Sequence, residues 1–296
     1  MSFNKISERC YCFPGAINIG LIVNDEKAIV IDTGMDKDSA RKIARGLDDL
    51  QVKPVAIINT HAHADHCGGN IHLKKRYPAL KIYSSSLEKA LIEQPYYEGF
   101  YLFGGATPPK EMQTKFLRAE PSEIDEVLSA GTTLINGVEV EIIPLPGHTL
   151  GQIGVKVDEV LYCGDAFFGK EIVNKYGVPY FTDIASTLKT LDVISAYSGL
   201  LVPSHGQVAE SYDEDIEKNI DAIKRICAVF LEALNKPLDE NGLVRELAKE
   251  FNLILKGLGQ YYLSRATVMA YLNYFMESEK VKYEIVDGSL MWKNNV

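Results

Sequence analysis

The stretch Thr60-His61-Ala62-His63-Ala64-Asp65-His66-Cys67-Gly68-Gly69-Asn70 decides how the chain is read. The protein has 6 histidines, and three of them fall between His61 and His66, with Asp65 between the second and third. Imidazole and carboxylate are the usual nitrogen and oxygen ligands of a catalytic zinc. Alternation puts His61 and His63 on one side of an extended segment. Asp65 and His66 are neighbours and cannot both point that way in a strand. A turn at Gly68-Gly69 would let them face a second metal. A solvated loop that merely happens to be His-rich has no need of this ligand density, whereas a metal site does.

Working outward, an apolar strand over 54–59 precedes the cluster. INIGLIVNDEKAIVIDTG (17–34) reads as two strands around Asn24-Asp25-Glu26, and a helix follows at about 37–49. A second region repeats this plan. IGLIVNDEKAIVIDTG (19–34) and IGVKVDEVLYCGDA (153–166) each hold an Ile-Gly strand, an Asp-Glu turn and a strand ending in aspartate. A helix, a strand and a histidine follow each, His61 in the first case and His205 in the second. The repeat implies two similar halves facing one cleft, with Asp32 and Asp165 in equivalent places. His61, His63, His66, His148 and His205 all lie after a strand or in a glycine-rich turn, where α/β folds build their sites. His72 alone falls inside a predicted helix and reads as structural or surface. Asp65 and Asp165 share the placement of the five site histidines, and a buried carboxylate such as Asp165 needs a cation or strong donors.

Seven donors are too many for one tetrahedral zinc and suit two metals. One takes three histidines and keeps a position for water; the other takes the remaining histidines and a carboxylate, with the second carboxylate shared. Metals in such sites lie ~3.5–4 Å apart, share a hydroxide and lower the pKa of water to ~7. Zinc is the default for this donor set, and manganese and iron accept it too.

Composition sets the frame. The 296 residues, 46% hydrophobic and 24% charged, are those of an ordinary globular protein large enough for one α/β domain with an appendage. A net charge of −9 argues against general attraction to nucleic acid or anionic membrane. No signal peptide is read at the start and no apolar run approaches the ~20 residues of a membrane span. Cys10, Cys12, Cys67, Cys163 and Cys227 are odd in number and lack a CxxC pair, which implies reduced thiols and a cytoplasmic home. Cys67 reads as packing behind the histidine loop.

THAHADHCGGN (60–70), PGHTLG (146–151), CGDAFF (163–168) and VPSHG (202–206), preceded by IDTG (31–34), resemble in order the motifs of the metallo-β-lactamase superfamily. The resemblance covers about residues 15–210. It implies an αββα sandwich of two similar halves and a metal-dependent hydrolase. By motif, His61, His63 and His148 resemble the first metal's ligands, and Asp65, His66 and His205 the second's. Asp165 resembles the bridge. Asp65 also resembles a proton-handling group, and Asp32 an aspartate that supports the histidine loop from behind. The implied mechanism is hydroxide attack on an electrophilic carbonyl or phosphorus.

Within the superfamily, THxHxDHxGGN followed by PGHT is similar to glyoxalase II. That family follows its bridging Asp with a Cys-Gly-Arg-Phe segment for glutathione, whereas this chain has Ala166-Phe167-Phe168-Gly169-Lys170-Glu171. His63, and the lack of a flavodoxin domain, argue against the flavodiiron oxidoreductases. The expected activity is hydrolysis of a small ester, thioester or lactone. A nuclease or phosphodiesterase, a mononuclear-iron persulfide dioxygenase, and a metal-bearing regulator are the alternatives. An aromatic-rich segment, 93–122, and a Gly/Tyr/Phe-rich loop, 166–182, are read as pocket walls, with Tyr96, Tyr97, Tyr101, Phe167 and Phe168 as substrate contacts. Residues 1–210 form the expected catalytic domain. Residues 211–296 read as three helices and a hairpin, a small helical, winged-helix-like module. It holds 11 Lys/Arg against 14 Asp/Glu, which favours packing or homodimerisation over DNA binding.

Overall fold

Apolar residues on both faces of a strand require a sheet to be covered twice, and this chain meets that demand with two sheets and two helical layers. The computed structural model describes residues 2–209 and 211–295; Glu210, where the expected catalytic domain ends, lies outside the described residues. The chain begins with β1 (Asn4–Lys5), β2 (Cys10–Phe13), β3 (Ile19–Asn24), β4 (Lys27–Ile31), α1 (Lys37–Asp49) and β5 (Lys53–Ile58). Next come α2 (Ala64–Cys67), α3 (Asn70–Arg76), β6 (Lys81–Ser85), α4 (Ser86–Glu93), α5 (Tyr96–Leu102) and β7 (Glu126–Leu128). Then follow β8 (Gly131–Ile135), β9 (Val138–Pro144), β10 (Ile153–Val157), β11 (Val160–Gly164), α6 (Lys170–Tyr176), α7 (Ile184–Ser195) and β12 (Leu200–Pro203). The end is α8 (Asp213–Ala233), α9 (Glu240–Glu250), α10 (Leu258–Glu277) and the hairpin of β13 (Val281–Val286) and β14 (Ser289–Asn294).

The first sheet runs β1 to β7 in sequence order, and the second runs β12-β11-β10-β9-β8. Ile22, Ile29 and Ile58 of one sheet meet Val140, Val155 and Tyr162 of the other in the central layer. The opposite face of the first sheet packs Val30 and Ile57 on Ile43 and Leu47 of α1. The opposite face of the second packs Leu161 and Leu201 on α7 and α8, in one continuous core with α9, α10 and the final hairpin. The expected αββα sandwich with a C-terminal helical module is therefore present. No described helix is long and apolar enough to cross a membrane.

The internal repeat is real. β3 pairs antiparallel with β4 and β4 parallel with β5; β10 pairs antiparallel with β11 and β11 parallel with β12. The helix between, α1 or α7, is N-capped by an aspartate, Asp36 or Asp183. The expected equivalence of Asp32 and Asp165 needs correction by one residue. The left-handed position that ends the second strand of each half is Asp32 (φ +61°) in the first and Gly164 (φ +57°) in the second. Asp165 lies one step beyond, so its carboxylate takes a different direction.

Other differences are local. The 166–182 loop holds a helix, α6, stopped by Gly177 at φ +72°. The 93–122 segment holds α5 and is packed down, with Leu102, Met112 and Leu117 against Leu258 and Leu263 of α10. Gly68 and Gly69 do not supply an unusual turn; their φ angles of −63° and −81° are ordinary helical values. They are needed for space. A Cβ would stand 1.9 Å from the Met35 carbonyl oxygen at Gly68 and 2.3 Å from that of Thr33 at Gly69.

That contact gives a stability test. Gly68→Ala should lower the thermal unfolding midpoint, with an overpacking cost of about 1–3 kcal/mol or more. An unchanged midpoint would show that the Met35 turn moves aside freely.

Candidate metal centre

The histidine loop is set by the strand before it and one carboxylate behind it. Beyond β5, Thr60 donates its N–H to Asp32 Oδ1 (2.8 Å) and its hydroxyl to Oδ2 (2.7 Å). The chain then turns through α2, with His63 at its N-cap. This single helical turn resolves the problem of adjacent Asp65 and His66, because a helix places neighbours about 100° apart where a strand opposes them. His66 donates Nδ1–H to Asp32 Oδ2 at 2.8 Å.

The outer hydrogen bonds fix which ring nitrogen faces inward. His148 Nδ1 meets the Tyr180 carbonyl at 2.8 Å and His205 Nδ1 meets the Ala16 carbonyl at 3.1 Å. A carbonyl only accepts, so each of these nitrogens carries the proton and each neutral ring turns a bare Nε2 inward. Thr60 spends its hydroxyl proton on Asp32 and so accepts from His61 Nδ1 at 3.1 Å, which leaves His61 Nε2 bare. That atom lies 3.1 Å from His63 Nδ1, which lies 2.8 Å from His148 Nε2. Two bare nitrogens thus converge on His63 Nδ1, and the three ring nitrogens crowd one point.

A second group lies beside it. His205 Nε2 is 3.4 Å from Asp65 Oδ2, and His66 Nε2 is 3.8 Å from the same oxygen. Asp165 stands between the groups. Its Oδ1 is 3.4 Å from His66 Nε2, while Oδ2 is 3.3 Å from His148 Nε2 and 3.4 Å from His205 Nε2. His61, His63 and His148 form one set that could hold a metal ion, and Asp65, His66 and His205 another; His61, His66 and Asp165 link them. His66 Nε2 and Asp165 Oδ1 are buried without a hydrogen-bond partner. Buried polar atoms left so are costly, and a cation between them removes the cost. The donor set fits a divalent metal.

The electrostatics agree. Burial and the neighbouring imidazoles hold His61 and His148 well below the usual histidine range, and His63 at about 4. Burial opposes charge on His66 too, but Asp165, Asp65 and Asp32 outweigh it and raise it to about 10. Burial also opposes charge on Asp65, but His66 and His205 prevail and hold it well below the carboxylate range. Burial raises Asp165 against His205 and His66.

Several supports were not legible in the sequence. Ser85-x-x-Glu88 has the form of a capping box, yet the buried Glu88 carboxylate faces away from its helix. It accepts from Ala62 N (2.8 Å), Thr149 Oγ1 (2.7 Å) and Gly151 N (2.8 Å), joining the two loops that carry His61 and His148. Gln152 accepts from Asp165 N at 3.1 Å. Cys67 packs behind the loop as read, its thiol on the Ala62 carbonyl. His72 lies apart, 3.2 Å from Glu120.

A cavity of about 280 Å³ opens onto His63, Asp65, His148, Asp165 and His205. Phe168 lines it. Phe167 does not; it is fully buried against Tyr212. Tyr101 lines a neighbouring cavity, while Tyr96 and Tyr97 line neither. Tyr97 faces solvent and Tyr96 packs under Arg118. Of the expected aromatic contacts, Phe168 and Tyr101 thus reach a cavity wall and Tyr96, Tyr97 and Phe167 do not; α5 turns its buried Glu98 to the site, and Tyr180, within the 166–182 segment, lines both cavities.

The family model described as metallo-β-lactamase superfamily matches residues 12–213. An uncharacterised protein of Aquifex aeolicus (strain VF5) is 29% identical over 170 residues, 56% of this chain and 72% of that protein. A hydroxyacylglutathione hydrolase of Serratia proteamaculans (strain 568) is 30% identical over 141 residues, 47% of this chain and 42% of the relative. The match thus spans less than half of that enzyme. Among solved structures, a β-lactamase domain protein from Burkholderia ambifaria aligns with TM-score 0.74 at 16% identity, over 99% of this chain and 93% of that one. A metallo-β-lactamase family protein from Thermus thermophilus aligns with TM-score 0.71 at 18% identity, over 94% and 93%. Likeness at such identity speaks for the fold alone.

Glu98 provides a pH test of the site. Burial, helped by the charges of Asp65 and Glu88, pushes its carboxyl up to about 8 from 4.5. The folded protein keeps a proton that the unfolded chain releases, so this contribution to stability is full below about pH 4.5 and is lost as pH rises to about 8. Metal-free Glu98→Gln should gain unfolding midpoint relative to the parent across that window. A difference that stays constant with pH would show Glu98 ionising as in water.

Proposed function

The chain belongs to the metallo-β-lactamase superfamily, and we propose that it is a metal-dependent hydrolase of a small ester, thioester or lactone with two divalent cations, zinc by default. The observation that carries this reading is the pair of donor sets with Asp165 between them, the outward nitrogens of His61, His66, His148 and His205 already committed elsewhere. In this reading His61, His63 and His148 hold one cation, Asp65, His66 and His205 the other, and Asp165 both. When bound, the cations polarise the substrate oxygen and lower the pKa of water to about 7, so that a nucleophile exists at neutral pH.

The chain's own groups do the rest. Asp32 holds His66 in one tautomer and one orientation. We read Asp65, which lines the cavity, as the catalytic proton carrier that takes a proton from water and passes it to the leaving group. Phe168 and Tyr180 restrict water from one side.

A carbonyl substrate fits better than a phosphodiester. Among the described residues lining the metal-side cavity there is no Lys or Arg to meet a phosphate. The same lack, with Ala166 to Glu171 in place of a glutathione-binding segment, favours a less anionic substrate than a glutathione thioester. The named hydrolase relative supports thioester chemistry as a class. We read residues 1–210 as the catalytic part and 211–296 as a winged-helix-like appendage that packs rather than binds DNA. Tyr283, Ile285 and Val286, exposed on its hairpin, support homodimerisation there. The five free cysteines, all buried but the half-buried Cys227, support a cytoplasmic setting.

Metal content per chain tests the centre. Two zinc or manganese ions are expected, with Asp165→Ala losing metal and at least about 100-fold in kcat/KM on a simple ester. Uptake should release protons and weaken as pH falls, since His66, raised to about 10, must give up its proton to bind. One iron per chain with oxygen consumption would replace this reading by persulfide oxidation. A metal-free protein with unchanged activity in Asp165→Ala would end it.

A further inference from the structure

A second cavity of about 660 Å³ adjoins the first, and the two share His63, Glu98 and Tyr180 on their walls. Beyond that junction the walls become apolar. Leu91 of α4, Leu102 of α5, Leu150 from the loop carrying His148, and Ala266 and Met269 of α10 line the space. At its rim, Leu87 is 56% exposed, Leu150 66% and Tyr101 42%. Apolar side chains left singly in water need no explanation, but a group of them around a cavity that adjoins a reactive centre does. Of the ionic groups on this wall, Arg265 is engaged with Glu240 and Glu88 with its three donors, while Glu98 and His63 stand at the junction with the first cavity. Beyond that junction no described lining residue offers a free cation for an anionic headgroup.

Resting on the hydrolase reading above, we propose that this second cavity is an acyl-chain site, and that the substrate is an ester or thioester of a medium- or long-chain fatty acid. The carbonyl carbon lies beside His63 and Asp165, and the hydrocarbon tail passes Glu98 and Tyr180 to lie between α4, α5 and α10. Water adds to that carbon, and the acyl C–O or C–S bond breaks. The water oxygen stays on the fatty acid. One proton goes to the leaving alcohol or thiol and the second is released as the acid ionises. The volume suits a flexible chain, and each methylene buried adds transfer free energy. The tail is thereby a source of binding that the small metal-side cavity cannot offer.

The test is an acyl series of p-nitrophenyl esters from acetyl to dodecanoyl, with alkyl acetates of matching length as the counter-series. We expect kcat/KM to rise about fourfold per added methylene over several carbons of the acyl series and to stay flat across the alkyl acetates. Met269→Trp and Ala266→Phe, checked for fold by circular dichroism, should flatten the acyl series. Equal rates for acetyl and decanoyl esters would overturn the proposal, as would a dependence confined to the alkyl acetates. Dodecanoate titrated into the protein separates this inference from the one beneath it. Binding that strengthens with chain length and is lost in Met269→Trp, without hydrolysis of any ester, would keep the chain site and sink the hydrolase reading. Neither binding nor hydrolysis would sink both.

Discussion

One carboxylate, that of Asp32, ties the end of a strand to the loop that carries three histidines. It sits at φ +61°, where an L-residue other than glycine costs roughly 1–2 kcal/mol. The cost is offset because the odd angle turns both oxygens toward Thr60 and His66, giving three hydrogen bonds to a charged acceptor. Everything downstream depends on this joint. Thr60, committed to Asp32, dictates the tautomer of His61; His66, committed likewise, turns its Nε2 toward Asp165. Where the second half of the repeat has Gly164 at this position, Asp165 is free to serve the cluster. The offset of one residue separates a supporting aspartate from one that stands between the two donor sets.

Much of this could be read from the chain. Period-two apolar runs and the Asn136-Gly137 and Asp287-Gly288 turns are strong local signals, and these turns join β8 to β9 and β13 to β14. The motifs named every residue that the centre brings together. What escaped was decided by tertiary packing. β7 has three residues and borrows its conformation from β6. α6 is two turns between glycines, too short for a periodic signal. Glu98 and Tyr180 reach the site because α5 and the segment before α7 are pressed there by other elements. Glu88 carries a capping signature and performs a different task. Tyr96 looks like Tyr101 in sequence, yet helical rotation sends it to another face, while Tyr97 shares the Tyr101 face but lies a turn earlier, at the solvent-exposed start of α5.

The C-terminal helices change what the sandwich is. Seen as sequence they form an appendage, but Phe230, Leu243 and Tyr271 share a core with Leu161 and Leu201 of the second sheet. α10 goes further, meeting the 93–122 segment through Leu258 and Leu263 and supplying one wall of each cavity. The metal-binding donors thus come from beyond the C-terminal ends of strands in the two sheets, while the room beside them comes from the two segments least like the rest of the fold. Donor chemistry and substrate choice are held by different parts of the chain.

The place of α10 in the sequence has a consequence for the order of synthesis. The ribosome releases the chain from its N-terminus, so the first sheet and the loop from His61 to His66 can fold early. The donor set is complete once His205 has emerged. The chambers beside it are not closed until Met269 and its neighbours follow, some sixty residues later. For that interval the nascent protein has its ligands in reach but one side of the site open to water. A chain stopped short of α10 would therefore present the same donors without one wall of the cavities beside them.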